Sequence, residues 1–514
     1  MKFLLLYRCQ TGAGCRDVRP CLVSEPQTVI IFLCVLYLRK GNTDKIGVSL
    51  NLEILWSVHL QMKRVDFNNG HIFGNILQTA FPMLVAQVLN LLYSIVDRIY
   101  IGRIPGLGTE ALGAVGLCFP IIILVTAFTN MFGSGGSPLF SMALGEGNTQ
   151  KAAQIQNTAF RLLSLTALLI MVITELFGGP LLLLFGATAA DLPVSLPYLR
   201  VYMLGTLFIM LSTGMNSYIN AQGFPVIGML SVTIGAVINL ILDPIFIFAF
   251  GMGVVGAAIA TVIAQFLSFC FVLRFLFGRK NEFPIRFAWS FPYVGSIVSL
   301  GLSPFIMQFT NSLVQIACNS MLMQYGGTLY VSIMTIVSSV RSILDVPVQS
   351  ITEGSSPIIS FNYGAKRPEN VKKAICVMLL LAFPYTLATW LFVNRMPGLF
   401  VRIFSDDTDI LTDASRALHL YFYAFIFQSL QYSGQTVFKS LNKKNRAIFF
   451  SLFRKVILVV PLTCLLPGLW NLGTDGVFIA EPISNVLGGL ACFITMLATI
   501  IPELNRMRDK LQNT

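Results

Sequence analysis

Residues 225–250 read PVIGMLSVTIGAVINLILDPIFIFAF, and Asp243 is the one ionisable side chain in the whole stretch. A membrane-spanning helix needs about 20 mostly apolar residues. This run is long enough, and it is apolar on every face. A soluble helix would show a polar stripe instead. Asn239 precedes Asp243 by four residues, so the two share one helix face, a turn apart. A carboxylate at that depth is costly to hold and is a functional candidate by default.

The rest of the chain is built the same way. Of its 514 residues 55 % are hydrophobic and only 11 % charged, and mean hydropathy is +0.75. A soluble fold of this size would need roughly a quarter of its residues charged to cover its surface. Disorder is excluded by 41 Phe and 15 Tyr. Three His and no Cys-x-x-Cys argue against a zinc protein. Six of the ten Cys (Cys118, Cys270, Cys318, Cys376, Cys464, Cys492) lie in or beside apolar runs and read as small buried hydrophobes. His71 and His419 have no second His or Cys at metal-ligand spacing and read as structural.

Twelve apolar segments follow residue 62: 75–101, 110–143, 150–180, 190–219, 225–250, 254–278, 292–324, 329–362, 369–396, 408–438, 447–467 and 474–502. All must be helical, because lipid offers no partner for backbone groups. The fold class is therefore an all-α polytopic membrane protein with twelve transmembrane helices. Pro82, Pro120, Pro138, Pro244, Pro304, Pro347, Pro357 and Pro461 lie inside these segments and predict bends. The net charge of +12 is not a nucleic-acid signature, because the basic residues fall in alternate loops. Lys63, Arg64, Arg279, Lys280, Arg286, Lys366, Arg367, Lys372, Lys373, Lys439, Lys443, Lys444, Arg446, Arg506, Arg508 and Lys510 all reach one face if there are twelve spans. The opposite face carries Asp406, Asp407 and Asp409. The excess of Lys/Arg marks the inside, so both termini are expected in the cytoplasm of a cell membrane protein.

The chain repeats itself at an offset near 220. GSPLFSMALG (136–145) matches SSPIISFNYG (355–364), and Gly253-x-x-Gly256 matches Gly473-x-x-Gly476. Two pseudo-symmetric six-helix bundles follow, related by an axis along the membrane normal. The expected organisation is an N-terminal extension over 1–65, a first lobe over 66–280, a cytoplasmic linker over 281–290, a second lobe over 291–504 and a cytoplasmic tail over 505–514. The extension holds Cys9, Cys15, Cys21 and Cys34 and no run long enough to span. We expect it to be poorly ordered, with Met62 as a natural alternative start.

An ordered set of motifs makes the reading specific. Phe81-Pro82, Tyr93-Ser-Ile-Val-Asp97 with Arg103, the paired Ser-Pro loops and Asn239-Leu-Ile-Leu-Asp243-Pro244 resemble the multidrug and toxic compound extrusion (MATE) transporters, from about residue 66 to about 504. The resemblance implies a V-shaped pair of bundles, alternating access, and efflux of organic cations or drugs against Na+ or H+. It places the cation-coupling site at Asp97, Asn239, Asp243 and Thr261. Carboxylate, amide and hydroxyl oxygens suit a hard ion such as Na+, and the same carboxylates could take up a proton instead. Each acid alone also reads as a helix-end or interface charge.

By the repeat, Asn239 and Asp243 correspond to Val459 and Thr463, and Asp97 falls near Asn319. Ion coupling is therefore expected in the first lobe. The other acids at depth are Glu175, Asp345, Glu353 and Glu481. Asp345 stands four residues after Arg341, so an ion pair along the helix competes with a substrate role. Glu481 opens the last segment, where an acid also suits the helix dipole. The resemblance makes Glu353 unusual, since Gln is common there, and the seventh segment reads Gln308-Phe-Thr-Asn311-Ser312 with no acid where some branches carry one. Asn90, Tyr93, Gln308 and Glu353 are the candidate substrate-cavity residues.

The expected partners are small organic cations or drugs and membrane lipid, with no nucleic acid, and the chain is expected to be a monomer. No cofactor is expected beyond the coupling ion. A lipid-linked oligosaccharide flippase of the same superfamily is the alternative. Such proteins carry basic residues for a pyrophosphate cargo, whereas this first lobe carries acids. An enzyme is not expected, because no acyltransferase His-x4-Asp, zinc-protease His-Glu-x-x-His or phosphate-binding Gly-x4-Gly-Lys-Ser/Thr pattern occurs.

Overall fold

The structure is a computed structural model that describes residues 64–278, 282–286, 291–404 and 408–513. The expected N-terminal extension, apart from its last two residues, lies outside the described residues. So do Lys63, Arg279, Lys280, Asp406 and Asp407 among the loop charges.

Among the described residues the chain is helical with no strand. The elements are α1 (Ile72–Gly102), α2 (Gly108–Gly145), α3 (Thr149–Leu184), α4 (Leu192–Leu204), α5 (Thr206–Ala221), α6 (Pro225–Pro244) and α7 (Gly253–Leu276). The second half contains α8 (Val294–Gly364), α9 (Pro368–Arg395), α10 (Pro397–Val401), α11 (Thr408–Phe422), α12 (Gln428–Ser440), α13 (Lys444–Leu452), α14 (Val460–Leu465) and α15 (Thr474–Gln512).

Nine of these helical segments are long and apolar enough to cross a membrane, or ten when α4 and α5, bent by 50°, count as one. The expected count of twelve differs from this at two places. The first is α8, 71 residues long. At 1.5 Å per residue it is several times the thickness of a bilayer core and cannot be one span. It breaks at Gly327, whose φ of 67° and ψ of −164° are accessible to glycine and strained for other residues. The second is 408–440, where α11 and α12 are separated by an irregular stretch and, at 15 and 13 residues, are each too short to span alone. At the C-terminus the helix runs on to Gln512, through the residues expected as a tail.

Breaks inside helices have identifiable causes. In α3, Phe177 leaves helical geometry (φ −116°, ψ 16°) just before Gly178-Gly179-Pro180, and the proline ring cannot fit against the carbonyl one turn back. Pro244 ends α6, and a π-helical turn follows over Ile245–Ala249.

The outer surface is apolar. In α3, Leu165, Leu168, Leu169, Val172 and Leu176 are exposed at helical spacing, while Leu163, Ala167, Ile170 and Thr174 are buried on the other side. A face of that size in water would be an aggregation patch; in lipid it is the expected covering. The chain is a multi-pass membrane protein.

The two halves of the chain meet along a seam of glycines. A Cβ on Gly135 would collide with the backbone of Gly301, one on Gly145 with the carbonyl of Phe361, and one on Gly354 with the backbone of Ala80. Small residues let helices approach this closely where burial from water cannot drive them together. Hydrogen bonds join the same region. Thr79 Oγ1 donates to the Gly354 carbonyl (2.8 Å), Lys439 Nζ to Ser134 Oγ (3.1 Å), Gln87 Nε2 to Glu353 Oε2 (3.3 Å) and an Arg367 guanidinium nitrogen to the Asn68 carbonyl (3.2 Å). These contacts involve the first half of α1 and the residues before it, the end of α2, both ends of α8 with Arg367 just beyond, and Lys439 of α12. That is the end of the molecule whose loops carry Lys366, Arg367, Lys443 and Lys444.

Candidate functional site

The four expected cation-site residues come together, from three helices. Asn239 and Asp243 sit on α6 one turn apart, and the Asn239 amide donates to Asp243 Oδ1 at 3.0 Å. The same amide nitrogen lies 3.2 Å from Thr261 Oγ1 on α7. The Thr261 hydroxyl gives its proton to the Ala257 carbonyl (3.0 Å), so its lone pairs face the pocket. Asp97 reaches in from α1, and its side chain interacts with that of Asp243. Asn239 and Asp243 are buried.

The pocket has unmet bonding capacity. Asp97 Oδ1 and Asp243 Oδ2 are buried oxygens without a hydrogen-bond partner. Leaving such groups unpaired costs about 1–3 kcal/mol each, and more when they are charged. Two carboxylates in one site cannot both stay ionised at low cost unless a cation or a proton lies between them. The donor set of two carboxylates, an amide and a hydroxyl fits Na+ as well as a proton. Arg98, beside Asp97 in sequence, stacks over the Phe119 ring at 4.9 Å.

A cavity of about 70 Å3 adjoins this pocket, bounded by Asn90, Tyr93, Asn216, Asn239, Thr261 and Gln265. That volume holds several waters. Asn90 and Tyr93 were expected to line a cavity and do. Asn216 and Gln265 were not expected. Each has a buried side-chain oxygen without a partner. The readable signal for Gln265 was its place four residues after Thr261 on an apolar helix.

Other expected residues lie elsewhere. Glu353 sits in the seam against Gln87, and neither it nor Gln308 borders this cavity. Glu175 faces Arg200 at 4.0 Å, half-exposed and apart from the pocket. In the second half, the position matching Asp97 falls near Asn319, which accepts from Gln315 Nε2 at 3.0 Å. Thr463 is buried with Cys318 4.0 Å away. No cluster of three His, Cys, Asp or Glu suited to a metal occurs among the described residues.

The second half has a different polar centre. Glu481 Oε1 is paired with Arg341 and with Arg454, and Lys455 Nζ lies 3.7 Å from it. Asp345 pairs with Arg341 at 3.3 Å, as their spacing offered, and accepts from the Tyr432 hydroxyl at the same distance. Arg454 and Lys455 were missed by the sequence reading. The available signal was two basic residues inside the apolar run 447–467.

An apolar helical body that holds an ion-sized polar pocket at depth defines a membrane transporter rather than an enzyme. The MatE family model matches the chain twice, over residues 82–245 and 304–465, and the chain belongs to that family. The Staphylococcus haemolyticus multidrug export protein MepA is 24 % identical over 434 residues, covering 83 % of this chain and 94 % of the relative. The FAD transporter of Shewanella oneidensis is 25 % identical over 431 residues, covering 81 % and 93 %. The fold is shared with a multidrug resistance MATE family transporter of the MOP superfamily solved in an outward-facing conformation. There the TM-score is 0.81 at 23 % identity, over 86 % of this chain and 99 % of that one.

Proposed function

We propose that the chain is a secondary exporter of drugs and other small organic molecules, driven by Na+ or H+ entering in exchange. The observation that carries this reading is the pair of buried, unpartnered oxygens of Asp97 and Asp243 beside Asn239 and Thr261. An entering cation relieves the repulsion between the carboxylates, and its departure restores it. The site can therefore store and release the free energy of an ion gradient.

Asp97 lies on α1, the helix whose first half joins the seam through Thr79 and Gln87. Pro82 sits between Asp97 and the start of that helix. Occupancy of the pocket is thereby linked, along one helix, to whether the sealed end stays sealed. Counting the arms of α8 separately, and 408–440 as one broken segment, gives twelve spans with both ends cytoplasmic. The sealed end is then the cytoplasmic one, and the described conformation opens outward in alternating access. The working unit is a monomer in the cell membrane.

The relatives' names span drugs and FAD, so the family alone leaves the charge of the cargo open. The acids of the first half favour organic cations. The basic cluster of Arg341, Arg454 and Lys455 supports a second reading in which anionic cargo is also carried.

Ethidium efflux from vesicles, with Na+ and pH gradients imposed separately, tests the proposal. Export driven by either gradient supports it. Efflux indifferent to both, or lipid scrambling without dye efflux, overturns it.

A further inference from the structure

The second-half cluster shares one matched position with the cation pocket. Gly253 and Gly473 match across the repeat, and the same offset carries Thr261 onto Glu481. In place of a hydroxyl open to an ion, the second half presents a carboxylate already claimed by Arg341 and Arg454, with Lys455 close by. Three basic side chains share two carboxylates, Glu481 and Asp345, so bases outnumber acids in the cluster. A buried polar group without a partner is expensive, and the cluster has visible openings. Lys455 Nζ is 3.7 Å from its nearest carboxylate oxygen, too far for a hydrogen bond. Arg454 Nε has no acceptor, on a side chain 5 % exposed.

The backbone is adapted to this arrangement. Arg454 and Lys455 lie in a π-helical stretch, Phe453–Val459, a conformation that is rare and frequent at functional sites. It lets two consecutive side chains approach one carboxylate. Lys455 and Arg341 are the members left partly open, at 11 % and 13 % exposure. Planar guanidinium groups beside an ammonium suit an oxyanion, which can accept several directed hydrogen bonds at once.

We infer that the cluster of Arg341, Arg454 and Lys455 binds an oxyanion, the carboxylate or phosphate of a transported molecule. The cargo part of this assignment rests on the exporter reading. Binding is therefore measured instead of transport, so that either can fail while the other stands.

The test uses the full chain purified in detergent and a matched pair of probes, a fluoroquinolone carboxylic acid and its methyl ester. The wild-type protein is expected to bind the acid about tenfold more tightly than the ester, the scale of one charge-assisted hydrogen bond. Lys455→Met should bring the ratio near one, and Lys455→Arg should keep it. Inorganic phosphate should compete with the acid more strongly than with the ester. That comparison needs only the wild-type protein and decides the matter if Lys455→Met does not fold. A wild-type ratio near one, a ratio unchanged in folded Lys455→Met, or equal competition against both probes overturns the assignment. Phosphate binding with no acid preference would identify a free-anion site and also overturn the cargo assignment.

Discussion

The pocket around Asp97 and Asp243 and the cluster around Glu481 share one matched position of the repeat, Thr261 and Glu481, yet they are opposite in electrostatic kind. The first gathers oxygens and leaves two of them without donors. The second supplies its carboxylates with cations from its own side chains. On the function proposed above, a site that lacks an internal counter-charge responds to an ion gradient, the ion being the missing part. A site that carries its own is indifferent to that gradient and costs stability when one partner is removed. As proposed, the difference separates coupling from structure and cargo recognition, and it can be broken from either side.

The largest effect should come from the first pocket. Asp97→Asn and Asp243→Asn are each expected to reduce ion-driven efflux to the background of empty vesicles. Neither should unfold the protein, because each relieves a repulsion. Efflux assays together with size-exclusion profiles check this. Wild-type export by either variant would break the comparison at its root.

Glu481→Gln should do the reverse. It leaves Arg341, Arg454 and Lys455 with Asp345 as the remaining carboxylate. Removing one partner of a buried ion pair typically costs about 3–5 kcal/mol. The expected outcome is a clear fall in thermal midpoint or in the yield of monodisperse protein, with Asp243→Asn measured alongside as the contrast. Equal stability of the two variants would mean that the Glu481 network is not the structural element described here.

Much of this contrast was readable in advance, for reasons that differ by residue. The helices were legible because lipid permits little else, and breaks at Gly205 and Gly327 merely divide or fuse segments already visible as apolar runs. Asp97, Asn239, Asp243 and Thr261 were legible because the motifs carry the resemblance and the i,i+4 spacing puts two of them on one face. Arg454 and Lys455 were not singled out. Basic residues were weighed as loop markers that set orientation, and that reading looks past bases inside a span. Glu353 was expected in a cavity and lies in the seam. Apolarity places a residue at a depth but does not say which neighbour its helix face will meet.

Asn239 gives a finer measure of the first pocket. Its amide bridges Asp243 and Thr261 and so positions two other pocket oxygens as well as offering one of its own. Asn239→Ala should weaken ion affinity about tenfold, the scale of one or two lost hydrogen bonds near charge, while the carboxylates still permit turnover. The signature is a rise in the half-saturating ion concentration with a largely retained maximal rate. A collapse of the maximal rate equal to that of Asp97→Asn would make Asn239 an equal partner of the acids.

The smallest expected effect belongs to Thr261, and it separates an oxygen ligand from a packing residue. Thr261→Ser keeps the hydroxyl that faces Asn239 and removes only a methyl, so ion dependence should stay within about twofold of wild type. Thr261→Val keeps the shape and removes the oxygen. It should weaken ion affinity by a few-fold, since one neutral hydrogen-bonding group contributes about 1 kcal/mol. If Val behaves like the wild type and Ser does not, the methyl matters and the hydroxyl does not, and the pocket loses its fourth ligand. If Val alone is impaired, the ligand set reaches across α6 and α7. The contrast with Glu481, which occupies the matching place as a carboxylate already bound to arginine, then rests on chemistry at a single position of the repeat.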